Sequence, residues 1–275
     1  MKVNFYGTRG SIPVAHPEYQ EFGGNTTCLQ ITLPDGRIGI LDAGTGIRQL
    51  GKDLLASDHQ QFDNIYVGFT HFHWDHIQGF PFFAPAYDPR RHFTISAMGH
   101  DRMDMDLRGV FEAQMQAEFF PVPLEKMGAR FSFFQSTDDH LMRQGTLVRV
   151  MPHRHPGVAY SYRIEDTESD TSIVFATDIE HGETLDPSLV EFARGADLLI
   201  HDGQYTPEEL PEKTGWGHSS WEQAIQVAEQ ADVKQLAITH HDPDHDDLFL
   251  KQVEKDCQAR YQDCFLAREG VEITV

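Results

Sequence analysis

The chain has 275 residues, 40% of them hydrophobic with 19 phenylalanines, enough to fill a sizeable core in one large domain or two small ones. Its 43 acidic against 22 basic residues give a net charge of −21, which repels polyanions and disfavours extended nucleic acid; a small anion held at a metal ion escapes that objection. Three scattered cysteines (Cys28, Cys257, Cys264) and a start, MKVNFYGTRG, without an apolar segment point to a reduced, cytoplasmic protein that neither is secreted nor spans a membrane.

In chain order, KVNFYG, CLQITL, IGILDAG and IYVGFTH read as four strands, with an Asp35–Gly36 turn between the second and third. GIRQLGKDLLAS between the third and fourth has helical spacing, with Ile47, Leu50, Leu54 and Leu55 on one face. DMDLRGVFEAQMQAEFF reads as a helix ended by Pro121 and Pro123. Strands resume with ARFSFF, TLVRVMPH, AYSYRIE, SIVFATD, DLLIHD and QLAITHH. Helices follow at SSWEQAIQVAEQA and DLFLKQVEKDCQARY, and GVEITV closes as a strand. Two batches of strands, each followed by helix and joined without a linker, predict one domain over 1–275. Its halves, about 1–135 and 136–275, would form two packed sheets with helices outside.

Histidine is the compositional oddity, with sixteen copies, many of them clustered. FTHFHWDHIQGF is the densest stretch. In an extended segment, side chains two apart share a side, so His71, His73 and Asp75 would face one way. Phe72 and Trp74 would face the other way and anchor the loop, with His76 following at a turn. Imidazoles and a carboxylate in this pattern suit Zn²⁺ or a similar divalent ion. Further donors stand at the ends of apolar strands: His153 or His155, Asp178, and His240 or His241.

Taken together, these motifs resemble the metallo-β-lactamase superfamily: LDAG with Asp42, then THFHWDH, HPG, ATD and THH in order across nearly the whole chain. The resemblance implies an αβ/βα sandwich of two mixed sheets, with helices on the outer faces and a dinuclear site. By that match His71, His73 and His155 hold one ion, Asp75, His76 and His240 the other, and Asp178 bridges them. Asp42 orients the histidine loop from behind. The HPG turn favours His155 over His153, and the Thr-His after the strand favours His240 over His241. The ions would be zinc, with manganese or iron as alternatives, and the family's habit of pairing implies a homodimer.

LLIHDGQYT and GHSSWEQAIQVAEQADVKQLAITHH resemble the phosphodiesterase branch, typified by the ribonuclease Z group that processes tRNA 3′ ends. That match makes His218 a general acid for the leaving oxygen, oriented by Asp202, with Asp75 also in the catalytic set. Ser219 and Glu222 have capping-box spacing, which would place His218 just before a helix N-terminus suited to a phosphate. In the ribonuclease Z group an RNA-binding arm lies between the third His and the bridging Asp; here only 22 residues, with the acidic EDTESD, lie between His155 and Asp178. The expected substrate is therefore a small phosphodiester such as a cyclic nucleotide, with Arg9 and Asn25 in loops that could reach the phosphate. GTRGSIPV, FGGNTTC and HHDPDHDD resemble small-molecule phosphodiesterases of the superfamily. The alternatives are a thioester, lactone or β-lactam hydrolase on the same scaffold, or a ribonuclease Z-like nuclease.

Overall fold

The computed structural model describes residues 1–56, 64–102 and 104–275, and among them are two seven-stranded sheets. The first begins with β1 (Lys2–Gly7), β2 (Cys28–Thr32), β3 (Ile38–Leu41), β4 (Ile65–Gly68), β5 (His92–Met98) and β6 (Arg130–Ser136) as successive neighbours. The second takes β7 (His140–Arg143), β8 (Thr146–His153), β9 (Ala159–Asp166), β10 (Thr171–Ala176), β11 (Leu198–Asp202), β12 (Gln235–Thr239) and β13 (Cys264–Leu266). β14 (Glu272–Thr274) returns to the first sheet beside β1, so the C-terminus of the second half completes the first.

Each sheet is parallel where helices join its strands and antiparallel elsewhere, through hairpins, the long β1–β2 loop and the returning β14. The Leu33–Gly36 turn, with Gly36 at φ +86°, joins β2 to β3 as the Asp-Gly signal predicts. Parallel pairing needs a crossover, supplied by α1 (Ile47–Ala56) between β3 and β4, then α2 (Trp74–Ile77) and α3 (Leu107–Gln114). In the second sheet the crossovers are α4 (Pro187–Ala193), α5 (Trp221–Ala231) and α6 (Asp247–Arg260). One apolar layer lies between the sheets and one on each outer, helix-covered face. No described helix is long and apolar enough to cross a membrane.

Several elements differ from the sequence expectation. Leu55 is 47% exposed, because α1 buries Ile47, Leu50 and Leu54 and turns Leu55 off that stripe. Ser57, the last residue expected in that helix, lies outside the described residues. α3 stops at Gln114, well before Pro121, since Phe119 and Phe120 turn back onto the Gln116 carbonyl. β5, β7, β13 and α4 were not expected. The last is announced by Asp186, whose side chain caps Ser188 N–H, and by Pro187 in the first turn.

The parallel strands β3 and β4 and their counterparts β10, β11 and β12 deliver their C-terminal ends to one edge of the sandwich. Ligands in parallel sheets bind outside such ends.

Candidate metal centre

Three residues that leave these strand ends are non-glycine yet left-handed: Asp42 (φ +62°) after β3, Asp178 (φ +59°) after β10 and His240 (φ +63°) after β12. Such backbone costs of order 1–3 kcal/mol and persists only where the surroundings over-determine it. Here all three are buried within one hydrogen-bonded cluster.

The histidine loop departs from the expected alternation. His73 is extended (ψ 156°), but α2 begins at Trp74, so Asp75 and His76 are placed by a helical turn. Phe72 stacks on Phe69 with centroids 5.4 Å apart and anchors the loop. Trp74 does not: it is 62% exposed, because helical geometry turns it outward. A second anchor, Arg102, left no signal in the sequence. Its buried guanidinium donates to the carbonyls of Phe69 and Thr70.

The structure gathers two donor sets. The ligand atoms of His71, His73 and His155 lie within 4.8 Å of one another, as do those of Asp75, His76, Asp178 and His240. Asp178 faces both. Its Oδ1 is 3.7 Å from His71 Nε2 and 3.9 Å from His155 Nε2, and its Oδ2 is 3.2 Å from His76 Nε2 and 3.3 Å from His240 Nε2. Four rings are held from behind by the nitrogen that points away from the cluster. His71 Nδ1 meets Thr70 Oγ1, His76 Nδ1 meets Asp42, His155 Nδ1 donates to the Gly217 carbonyl and His240 Nδ1 to Gln204 Oε1. That is how metal-binding imidazoles are oriented. His71 Nε2 and His76 Nε2 are buried with no hydrogen-bond partner, which fits nitrogens that await a cation.

The paired alternatives separate. His153 turns away, bonded to Ser161 Oγ and the Asp178 carbonyl, and His241 reaches the Ala267 carbonyl. His155 and His240 are the ones in the clusters. Asp42 accepts from Thr70 N–H, Thr70 hydroxyl and His76, fixing both ends of the loop. Asp75 accepts the Ser11 N–H at 2.8 Å.

Electrostatics give the same picture. Burial would lower His240, but Asp178, Asp75 and Asp202 outweigh it and raise the ring to about 9. His76 is also raised well above its ordinary value: burial opposes, and Asp178, Asp75 and Asp42 prevail. Burial, with His76 adding to it, drives His71 well below its ordinary value, so that ring is a neutral donor. A field that binds protons this strongly on two rings is one that holds divalent cations. The cluster suits a dinuclear site.

Beside it, His218 Nδ1 lies 3.0 Å from Asp202 Oδ2, and its ring stacks on His240 at 5.0 Å. The capping box of α5 uses Ser220 and Gln223, one residue later than the expected Ser219–Glu222 pair. The Ser219 N–H instead binds Asp202 Oδ1. Arg9 and Asn25 are not brought to the open face. Arg9 has no exposed surface and donates to the carbonyls of Gly23, Asp242 and His245, while Asn25 binds Glu269 through its side chain and backbone N–H. Both hold loops together.

Residues 39–241 match the family model described as beta-lactamase superfamily domain, about three quarters of the chain. The chain belongs to the beta-lactamase superfamily. As a member it is a metal-dependent hydrolase, with the family's αβ/βα sandwich. Ribonuclease Z of Synechococcus sp. (strain CC9311) is 26% identical over 335 aligned positions, covering 100% of this chain and 99% of the relative. Those positions exceed the 275 residues here, so the relative carries segments this chain lacks. Among solved structures, the metallo-beta-lactamase fold protein YhfI from Bacillus subtilis superposes with a TM-score of 0.70 at 21% identity, covering 99% and 98% of the two chains. A diphosphatase of the PhnP family gives 0.71 at 17% identity, covering 100% and 97%. Superfamily membership fits the ordered donor residues but leaves the substrate to the site itself.

Proposed function

We propose that the protein hydrolyses a small phosphodiester, a cyclic nucleotide by preference, with His71, His73 and His155 holding one zinc ion, Asp75, His76 and His240 the other, and Asp178 between them. The observation that carries this is the Asp202–His218 pair beside the donor cluster. Divalent ions in such a pair of sets supply charge neutralisation for phosphoryl oxygens and an acidified water.

The chain's own residues do the rest. Asp202 fixes the His218 ring through Nδ1, and His218 Nε2 has no protein partner among the described residues. To that nitrogen we assign the protonation of the departing alkoxide, the step an ester with a poor leaving group needs. A thiolate departs without such an acid, so the pair argues against a thioester substrate; a lactone also expels an alkoxide, and the assay below separates it from a phosphodiester.

Size selection follows from what lies beside the site. Between His155 and Asp178 there is only the β9–β10 hairpin, whose turn carries Glu168 and Asp170, leaving no basic arm for RNA. Trp74 and Trp216 are 62% and 58% exposed. Each adjoins a residue in contact with His155, since His73 meets its Nε2 and Gly217 its Nδ1. As exposed rings next to site residues in the chain, they are the faces we assign to base stacking. Phe80 and Phe83, which follow the histidine loop, belong to the core and offer no such face.

The deciding experiment incubates zinc-loaded protein with 3′,5′- and 2′,3′-cyclic nucleotides, a 3′-extended tRNA precursor, and a lactone and thioester panel. Turnover of a cyclic nucleotide well above the others is the expected result. Preferred cleavage of the tRNA precursor replaces this reading with the ribonuclease Z activity named for the relatives, and preferred lactone or thioester turnover replaces phosphodiester chemistry altogether.

A further inference from the structure

The layer between the two sheets is filled unevenly. On the β1–β2 side Val3, Phe5 and Leu29 join Ile173, Phe175 and Ile200 in one core. Across β3 to β5, however, the large side chains alternate outward: Ile38, Ile40, Ile65, Val67, Phe93 and Ile95 all belong to the outer, helix-covered layer. What faces the second sheet there is Gly39, Gly68, Thr94 and Ser96, interspersed with the larger Leu41, Tyr66 and Met98. A cavity of about 260 Å³ results, closed on the far side by Leu141, Val148, Tyr162 and Ile164, with an adjoining lobe of about 120 Å³ towards Arg37. It is separate from the metal centre, none of whose residues line it.

Three details mark this as more than loose packing. A Cβ built on Gly39 meets no atom within 4 Å, so the space begins directly at the β3 backbone. The Tyr66 hydroxyl, on the neighbouring strand, is buried without a hydrogen-bond partner, and a buried donor is seldom left so. Arg143 is exposed at the rim with its guanidinium 4.9 Å from the centre of the Tyr66 ring, and it takes part in no ion pair among the described residues. A free cation above an unsatisfied phenol, over an apolar hollow, is complementary to an anion with an aliphatic tail. Apolar cavities of this kind stay dry and accept apolar guests.

We infer that the slot between β3–β5 and β7–β9 binds an aliphatic carboxylate, its head between Arg143 and the Tyr66 hydroxyl and its chain lying against Gly39. The site is independent of the hydrolytic centre, so ligand binding here and turnover there can be measured separately.

The test titrates sodium decanoate into the full chain by calorimetry, with decylammonium as the charge-reversed probe. Two variants accompany it: Gly39→Leu fills the floor, and Arg143→Glu reverses the rim. The expected result is saturable one-to-one binding of decanoate by the wild type, weakened at least tenfold in each variant. Decylammonium should bind the wild type at least tenfold more weakly than decanoate does. Both variants should keep wild-type hydrolysis of bis-p-nitrophenyl phosphate. Absence of saturable decanoate binding, or equal binding by Gly39→Leu, overturns the assignment. So does a Gly39→Leu protein with a raised Tm beside a wild type that binds nothing, which identifies a plain void. Should Gly39→Leu not fold, the exposed Arg143→Glu decides alone, and unchanged decanoate affinity there counts against the proposal.

Discussion

Asp202 binds His218 Nδ1 with Oδ2 at 3.0 Å while its Oδ1 accepts the Ser219 N–H at 2.9 Å, so one buried carboxylate fixes both the ring and the backbone that carries it. Asp202 stays ionised: burial would raise it, but His218 and His240 bring it below the ordinary range. A ring positioned this way matters in proportion to how badly the leaving group needs a proton. With an alkyl or nucleoside leaving group, His218→Ala should lower kcat by about 10²- to 10⁴-fold. With bis-p-nitrophenyl phosphate, whose leaving group departs unassisted, the loss should be far smaller. Equal losses on both substrates would remove His218 from the acid role.

Asp178 belongs to one donor set and faces the other, so its removal should affect both ions. Metal analysis after dialysis should find about two zinc ions per wild-type chain, about one in His71→Ala, and fewer than one in Asp178→Ala. Because His240, raised to about 9, and His76, also raised well above its ordinary value, are protonated at pH 7 without metal, zinc loading in weak buffer should release about two protons per chain. Affinity should accordingly fall as pH is lowered. Zinc uptake with no proton release would contradict the ligand set.

The donor cluster was legible because its spacing is local: His71, His73, Asp75 and His76 sit within six residues, and the remaining donors each follow an apolar strand. The preference for His155 over His153 and for His240 over His241 comes from the resemblance alone; the structure adds the physical reason, since Ser161 and the Ala267 carbonyl hold the other two rings away. The misplaced anchor Trp74 and the shifted cap at Ser220 have one cause. Helix starts are fixed by φ and ψ at a single residue, and two plausible caps in a row give the sequence no way to decide. β7 and β13 are four and three residues long, too short for an alternating pattern to show. Arg102 and Gln204 support the site from distant loops and carry no motif.

Acid should unfold the protein through a pair of histidines behind the site. His181 Nδ1 accepts the Asp186 N–H and His201 Nδ1 donates to the Asp202 carbonyl, so the 3.3 Å contact between their Nε2 atoms runs from His181 N–H to a neutral His201. Burial, reinforced by His201, depresses His181 to about 3, and burial lowers His201 as well. The unfolded rings titrate near 6.5, so below that pH the unfolded state binds more protons and stability falls as pH falls. His181 alone should contribute up to about 1.4 kcal/mol per pH unit between 6.5 and 3. Chemical denaturation of the zinc-free protein across that window should show a shallower slope in a His181→Gln variant, and an unchanged slope would assign the acid sensitivity elsewhere.

Gly217 tests whether the backbone around the site tolerates any added bulk. It sits at φ +91°, and a Cβ there would lie 2.0 Å from His155 Nδ1, the atom that donates to the Gly217 carbonyl. No rotation of the His155 ring relieves this without losing that hydrogen bond, and the left-handed backbone adds its own strain. Gly217→Ala should therefore displace His155 and loosen the adjoining His218. Zinc content should fall towards one per chain, and hydrolysis of phosphodiesters should drop by more than tenfold, with the second donor set still loaded. A control at Gly157, also at positive φ (+85°) but with open space around its Cβ, isolates the clash from the backbone strain. Gly157→Ala should retain both ions. If the two variants behave alike, the steric link between Gly217 and His155 is not what holds the first donor set.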